Sequence, residues 1–242
     1  MKTVRLCLVL GFCLLGRAYA DLTMVQKVEG MNRPSGEVTV RIKGDKARID
    51  ATPKISTIVD GKTGEVLTLM KDQKMMIRIS AEKMKAAAEM IKKFKKENTP
   101  AEPAKPKATG RKEVVNGYQA EEYTVETPYY KAAYWIAPKY PDGAAILKQL
   151  RAVKSELWNS ANGNAPDYRD FPGLPIKSVI DMGENKVTTM LVSVKQDPLS
   201  DADFAIPSDF KEVKTPDLGS VPDSDKDEAE EPEQAASPTP TP

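Results

Sequence analysis

The residues that could perform chemistry in this chain are carboxylates, lysines, tyrosines and hydroxyls. The 242 residues include no histidine, which excludes imidazole metal sites, Ser-His-Asp triads and a histidine general base. Cys7 and Cys13 are the two cysteines, and both lie near the start of the chain. The sequence therefore offers no motif that identifies a reaction.

Two pairs of carboxylates are the remaining candidates for acid–base catalysis. Glu121 and Glu122 are adjacent in a predicted strand, so their side chains are expected on opposite faces and cannot share a substrate. Asp167 and Asp170 lie in a predicted polar loop, where a turn or weak calcium binding explains them as well as catalysis does. We therefore predict that the protein is not an enzyme and has no catalytic residues, metal ligands or cofactor.

Residues 1–20 have the pattern of a secretory signal peptide: positive residues, an apolar run over 6–15, and small residues ending at Ala20. We predict cleavage after Ala20 and an exported protein, periplasmic or extracellular. Both cysteines lie inside this segment, so the mature chain would have no disulfide and no thiolate. Lipidation of Cys13 is the less favoured alternative, because Phe12 stands where a lipoprotein signal has a small residue.

The other end of the chain, residues 215–242, has eight acidic residues against Lys226 alone, with repeated proline. This segment shows no apolar periodicity, so we predict a disordered acidic tail. A solubilising or spacing extension is the favoured interpretation, and a docking peptide is the alternative. Residues 21–214 then form a single folded domain with a net positive charge.

Alternation of apolar and polar residues predicts β-strands over most of residues 22–80. Gly44 and Asp45 interrupt this alternation as a two-residue hairpin turn, and Asn116 and Gly117 do the same later in the chain. Further strands are predicted at 55–59, 66–70, 75–79, 113–115, 118–125, 132–137, 175–182 and 186–195.

Two amphipathic helices interrupt these strands. Ser80 is a candidate N-cap for the first, which has Met84, Ile91 and Phe94 on one side and lysines on the other. The second is predicted over 143–159, and a flexible loop is predicted over 101–110. The predicted fold is therefore mainly β (α+β): a curved antiparallel sheet or incomplete β-barrel of about 10–11 strands covered by two amphipathic helices.

The order of these segments resembles a known family. The turn-and-strand pattern of residues 40–50, followed by 58–60, 67–70, 75–79, 116–123, 134–137 and 174–176, resembles the secreted bacterial family called domain of unknown function 4412. That family is similar to the LolA/LolB-like lipoprotein-carrier fold, an incomplete antiparallel barrel with helices over its open face and an apolar cavity between. The resemblance implies that architecture. No motif marks Arg41, Arg48 or Arg78 as the arginine that the carrier places in its cavity.

The layer between the sheet and the helices is predicted to be either a cavity or a solid core. Methionines concentrated there suit an adaptable binding surface, although they also fill solid cores. The carrier hypothesis predicts a hydrophobic ligand, a lipid or a lipidated protein, in a cavity lined by Met70, Met75, Ile77, Met84, Ile91, Ile146 and Leu150. The alternative is a structural or interaction module of the cell envelope with a solid core.

The segment from Lys83 to Lys112 is rich in lysine and could attract an anionic membrane surface. A solvated helix face that keeps the protein soluble is the simpler interpretation. Aromatic residues are not interleaved with these lysines, so we do not predict a nucleic-acid partner. We expect the protein to be a monomer.

Overall fold

The computed structural model describes residues 21–30, 33–95, 105–126, 131–152, 171–183 and 185–213. The predicted signal peptide, the acidic tail, Asp167 and Asp170 lie outside these residues, as does the predicted part of the second helix from 153 to 159. Every strand predicted from the sequence falls within the described part of the chain.

The strands of the described residues join one open, curved sheet of twelve strands. Across the sheet the order is β12-β6-β5-β4-β3-β2-β1-β11-β10-β9-β8-β7, so β12 and β7 are its edges. Neighbours are antiparallel except β12, which runs parallel to β6. In chain order the strands are β1 (Leu22–Gly30), β2 (Arg33–Lys43), β3 (Lys46–Asp50), β4 (Ile55–Asp60), β5 (Val66–Met70), β6 (Met75–Ile79), β7 (Lys107–Val115), β8 (Tyr118–Glu126), β9 (Lys131–Ala137), β10 (Leu174–Met182), β11 (Asn185–Lys195) and β12 (Lys211–Val213). The predicted fold class is confirmed.

Residues with positive φ close the two hairpins at the predicted turns. Gly44 has a φ of 56° between β2 and β3. Between β7 and β8, Asn116 and Gly117 have φ values of 49° and 83°. Two consecutive positive φ angles are typical of the turn whose twist matches that of the flanking strands, and Asn-Gly is its favoured sequence.

Two parts of the sheet differ from the sequence prediction. The predicted loop over 101–110 is wrong from Lys107 onward, because β7 begins there. The register of β7 with β8 shifts between Ala108 and Lys112, and Gly110 lies within that irregularity with a φ of 76°. This bulge and the exposure of an edge strand remove the alternation by which strands are recognised. The twelfth strand, β12, was not predicted, because three exposed residues carry no periodic signal.

Both predicted helices are present, as α1 (Ala81–Lys95) and α2 (Gly143–Ala152). Ser80 caps α1 as predicted, since its hydroxyl accepts a hydrogen bond from the backbone N–H of Lys83 at 3.3 Å. Helix α2 contacts β10, and its Ile146 and Leu147 are 1% and 5% exposed. In α1, Met84 is buried.

Two clusters of buried apolar side chains stabilise the fold. The main core joins α2 to strands from both halves of the sheet; its buried members are Leu22, Met24, Ile42, Ala47, Val59, Val115, Ala120, Trp135, Ala137, Ile146, Leu147, Leu174, Ile176 and Leu191. The smaller cluster consists of Ile58, Leu67, Leu69 and Met76, with Ile206 and Phe210 packed against it. Those last two residues belong to segment 199–213, the C-terminal strap, which includes a short 3-10 helix (Asp201–Phe204) and β12.

Candidate functional site

One face of strands β2 to β6 is lined almost entirely by apolar side chains. Residues paired directly across neighbouring strands share a face, so the register defines three rows. Row 1 is Ile42, Ala47, Val59, Val66 and Ile79; row 2 is Val40, Ile49, Thr57, Thr68 and Ile77; row 3 is Ile55, Met70 and Met75. We call this surface the apolar face. Its three rows include two threonine hydroxyls and no charged side chain.

Burial decreases along the apolar face from row 1 to row 3. Ile42, Ala47 and Val59 of row 1 are at most 9% exposed and belong to the main core. The residues of row 2 are half-buried. In row 3, Met70 and Met75 are half-buried and Ile55 is 41% exposed. Among the described residues, the apolar face is therefore packed at one end and accessible at the other.

The structure brings together three of the seven residues predicted to line a cavity. Met70 and Met75 are direct cross-strand partners, and Ile77 lies two residues further along β6 on the same face. The alternation of β3 and β4 also places Ile49 and Ile55 on this face, although the sequence prediction did not select them. That alternation was the signal that could have identified them.

The remaining four predicted residues lie on the helices. Ile146 is 1% exposed within the main core, and Leu150 packs against that core. Met84 is 5% exposed on α1. Ile91 belongs to α1, but the structure describes only its backbone. Row 1 and α2 therefore contribute to the same core, at the packed end of the apolar face.

The opposite face of the same strands carries an ionic cluster centred on Asp50. Its carboxylate accepts hydrogen bonds from Arg41, from Arg48 at 3.1 Å, from the hydroxyl of Ser56, and from Lys71 at 3.3 Å. Burial works to raise the pKa of Asp50, but the hydrogen bonds from Ser56 and the arginines outweigh it and lower the pKa to about 2. Asp50 is therefore a permanent structural anion at neutral pH.

Arg78 lies on the same side of the sheet as Arg41 and Arg48. The register aligns Arg41 with Arg48 and, two strands further, Leu67 with Arg78. Arg78 forms ion pairs with Glu65 and, at 3.1 Å, with Glu212. None of the three arginines considered in the sequence analysis therefore faces the apolar rows.

The C-terminal strap closes this second face. Arg48 donates a hydrogen bond to the carbonyl of Asp203 at 2.8 Å, and Lys43 forms an ion pair with Asp201 at 2.7 Å. Ile206 and Phe210 pack on the smaller cluster. The accessible apolar surface of β2 to β6 is thus confined to one side of the sheet.

Glu122 takes part in a second polar cluster, on β7 to β10. It is 9% exposed and is bound by Arg111 at 2.7 Å and by the hydroxyl of Thr109 at 3.1 Å. Nearby, Lys177 lies 3.9 Å from the ring centre of Trp135 and forms a 2.9 Å ion pair with Glu113.

These contacts define the chemistry that the cluster can support. The Lys177 hydrogen bond lowers the pKa of Glu113, so this carboxyl is poorly placed to act as a general acid at neutral pH. Within the described residues no three acidic side chains come close enough to hold a metal ion. No described helix is both long enough and apolar enough to cross a membrane.

Comparison with known proteins identifies a family. The sequence model of the domain of unknown function DUF4412 matches residues 22–210, whereas no curated protein matches. Solved structures with similar chain traces include PNGF-II, at 13% identity and a TM-score of 0.39 over 81% of this chain and 32% of that one. This chain therefore spans about a third of PNGF-II.

Two further solved structures match over most of both chains. A LolA superfamily protein from Nitrosomonas europaea is 11% identical, with a TM-score of 0.28 over 76% of this chain and 89% of its own. LprF from Mycobacterium bovis is 12% identical, with a TM-score of 0.31 over 79% and 90%. The assignment rests on the family model, which covers nearly all of the described body: the chain belongs to the DUF4412 family.

Proposed function

We propose that this protein is a non-enzymatic binder or carrier of a hydrophobic ligand, either a lipid or the acyl chain of a lipidated protein. The observation that carries the proposal is the apolar face, which remains accessible at row 3 while the other side of the same strands is closed by the strap. Contact of an apolar surface with water is thermodynamically unfavourable, so an accessible apolar surface on an ordered sheet indicates a site that a ligand or partner covers.

An acyl chain fits the dimensions and chemistry of this face. Row 2 crosses five strands, which at the usual strand spacing is about 19 Å. Each buried methylene would contribute about 0.8 kcal/mol, so about ten methylenes supply about 8 kcal/mol, which corresponds to micromolar affinity before ordering costs are subtracted. Longer acyl chains offset those costs. Met70 and Met75 at the accessible end have flexible thioether side chains, which adapt to ligands of different shape.

The proposal includes an exported protein. We propose that residues 1–20 are removed after Ala20, that residues 21–214 act as one monomeric ligand-binding domain, and that the protein works in the periplasm or outside the cell. The support is the charge and hydropathy pattern of the first 20 residues. Sequencing the N-terminus of the exported protein tests the cleavage site, with Asp21 as the expected first residue.

A structural or interaction module of the cell envelope is the second candidate, and the main core favours it. Ile146 and Leu174 are each 1% exposed, so the space beside α2 is filled by side chains of the protein itself. In this case row 3 would be covered by a partner protein. The two candidates therefore agree on the surface and differ in what covers it.

Native mass spectrometry of protein purified from its own envelope, together with titration of a fluorescent fatty acid, tests the proposal. The informative variant is Met70→Gln with Met75→Gln, which keeps side-chain length and adds polarity on the apolar face. If ligand binding removes about 40 Å² of apolar surface from each methionine, the pair contributes about 2 kcal/mol, so we expect affinity to fall by about tenfold or more.

The matched control is Val114→Gln with Val192→Gln. These valines are 63% and 50% exposed and lie on β7 and β11, away from the apolar face, so affinity should not change. Absence of co-purified lipid together with no uptake of the fatty acid would contradict the carrier proposal. An equal loss of affinity in both double variants would show that binding is not located on the apolar face.

A further inference from the structure

We propose that the acidic tail, residues 215–242, docks on the lysine-rich helix α1 of the same chain. The proposal is independent of the ligand proposed above. It rests on the direction in which the chain leaves the sheet, on the charges of the strap, and on the opposite charges of the tail and the helix.

The pairing of β12 places Val213 beside the strand that leads into α1. Strand β12 is parallel to β6, with Val213 opposite Ile77. Strand β6 ends at Ile79, and α1 begins two residues later at Ala81. Because the two strands run in the same direction, β12 at Val213 points toward the end of β6, where α1 begins.

Acidic residues along the strap form ion pairs with basic residues of the sheet. Asp201 pairs with Lys43 at 2.7 Å, and Asp209 pairs with Lys74 at 2.8 Å. Glu212, within β12, pairs with Arg78 of β6 at 3.1 Å. Docking of the tail on the lysines of α1 would continue this interface in the direction that the chain is already following.

The charges of the two segments are complementary. Helix α1 has five lysines against Glu82 and Glu89, and Lys85 is exposed in its second turn. The stretch 223–233 of the tail has seven acidic residues against Lys226. A tether of this length keeps the tail at a local concentration of order millimolar, which favours even a weak ionic contact.

The distances permit the contact along the whole helix. Asp223 lies ten positions after Val213, and an extended chain of ten residues spans about 33 Å. The 15 residues of α1 are about 22 Å long. The basic edge strand β7 is a poorer target, because it lies at the opposite end of the strand order and its Arg111 is already paired with Glu122.

Paramagnetic relaxation in the mature full-length chain tests the proposal. The mature sequence has no cysteine, so Ser224→Cys provides a unique position for a spin label in the tail. At low ionic strength we expect amide signals of α1 to relax at least twofold faster than those of 107–112 in β7. This difference should disappear at about 0.5 M salt, where the Debye length is only a few ångströms.

Two sets of lysine variants locate the contact. Lys85→Gln, Lys92→Gln and Lys93→Gln together should reduce the relaxation of α1 to its high-salt value. The matched control, Lys62→Gln with Lys139→Gln and Lys195→Gln, removes the same charge from the surface outside α1 and should leave the relaxation unchanged. Equal effects of the two triple variants, or stronger relaxation of β7 than of α1, would overturn the proposal. Relaxation that grows with protein concentration would also overturn it, since the tail would then contact a second copy.

Discussion

Replacement of Asp50 by asparagine tests whether the ionic cluster on the strap face holds β2 to β5 together. The substitution keeps the size of the side chain but leaves Arg41, Arg48 and Lys71 without their shared anion. The gap between the ordinary pKa of 3.8 and the pKa of about 2 corresponds to about 2 kcal/mol of folding free energy at neutral pH. We therefore expect Asp50→Asn to lower the free energy of unfolding by about 2 kcal/mol at pH 7.

The pH dependence provides the sharper test. The folded-state pKa of Asp50 lies below its unfolded value, so the stabilisation is complete above pH 4 to 5 and is lost as the pH falls toward 2. At pH 3 the difference between wild type and Asp50→Asn should shrink to about half of its value at pH 7. Comparison of the two proteins at each pH cancels the contributions of the other acidic groups.

Urea denaturation followed by tryptophan fluorescence measures both quantities. Asp72→Asn is the matched control, because Asp72 forms an ion pair with Lys54 in which both side chains are more than half exposed. Exposed pairs contribute little, so we expect this variant to be indistinguishable from wild type. A difference between wild type and Asp50→Asn that is below about 0.5 kcal/mol at pH 7, or that is the same at pH 7 and pH 3, would refute the reasoning.

The strap and one backbone position give two further predictions. Phe210→Ala, which removes the half-buried ring that packs on the smaller cluster, should lower the free energy of unfolding by about 2 kcal/mol and expose the strap to limited proteolysis; cleavage of wild type and variant at equal rates would contradict the packing. Gly30→Ala should be strongly destabilising in thermal unfolding, since Gly30 has a φ of 105° and an added Cβ would lie 1.8 Å from the carbonyl oxygen of Lys186. Its control is Gly36→Ala, where an added Cβ meets nothing within 4 Å, and similar melting temperatures for the two variants would argue against this backbone geometry.

The sheet was predictable from the sequence because its signals are local. Alternation with a period of two and turn residues such as Gly44 and Asn116 act within a few positions of each other, and they located the strands that carry Met70, Met75 and Ile77. The apolar stripes of the helices were equally visible. Such a stripe shows which side of α2 is buried, but it does not show whether the side chains opposite Ile146 fill the space.

The strap could not be predicted by the same means. Its contacts join residues far apart in sequence, such as Arg48 and Asp203, and its single strand has three residues. Next to β12, Phe210 packs on the smaller cluster, whose residues come from β4, β5 and β6. A segment whose structure depends on distant partners has no pattern of its own, so the prediction ended the strands at Lys195.

Strands β2 to β6 separate charge from apolar surface, and this separation limits what the apolar face can bind. The arginines and Asp50 lie on the face that the strap covers. A ligand on rows 1 to 3 would therefore not have to strip water from a charged side chain that it cannot pair with, which would be energetically costly. Recognition there would depend on shape and on apolar area, which suits ligands that share acyl chains but differ in headgroup. A protein partner would have to bury row 3 through apolar side chains of its own. Its binding would increase the mass of the complex by the mass of a whole polypeptide chain, whereas a lipid would increase it only by the mass of a small molecule. The mass of the complex isolated from the envelope therefore distinguishes the carrier from the interaction module, even if Met70→Gln with Met75→Gln weakens both.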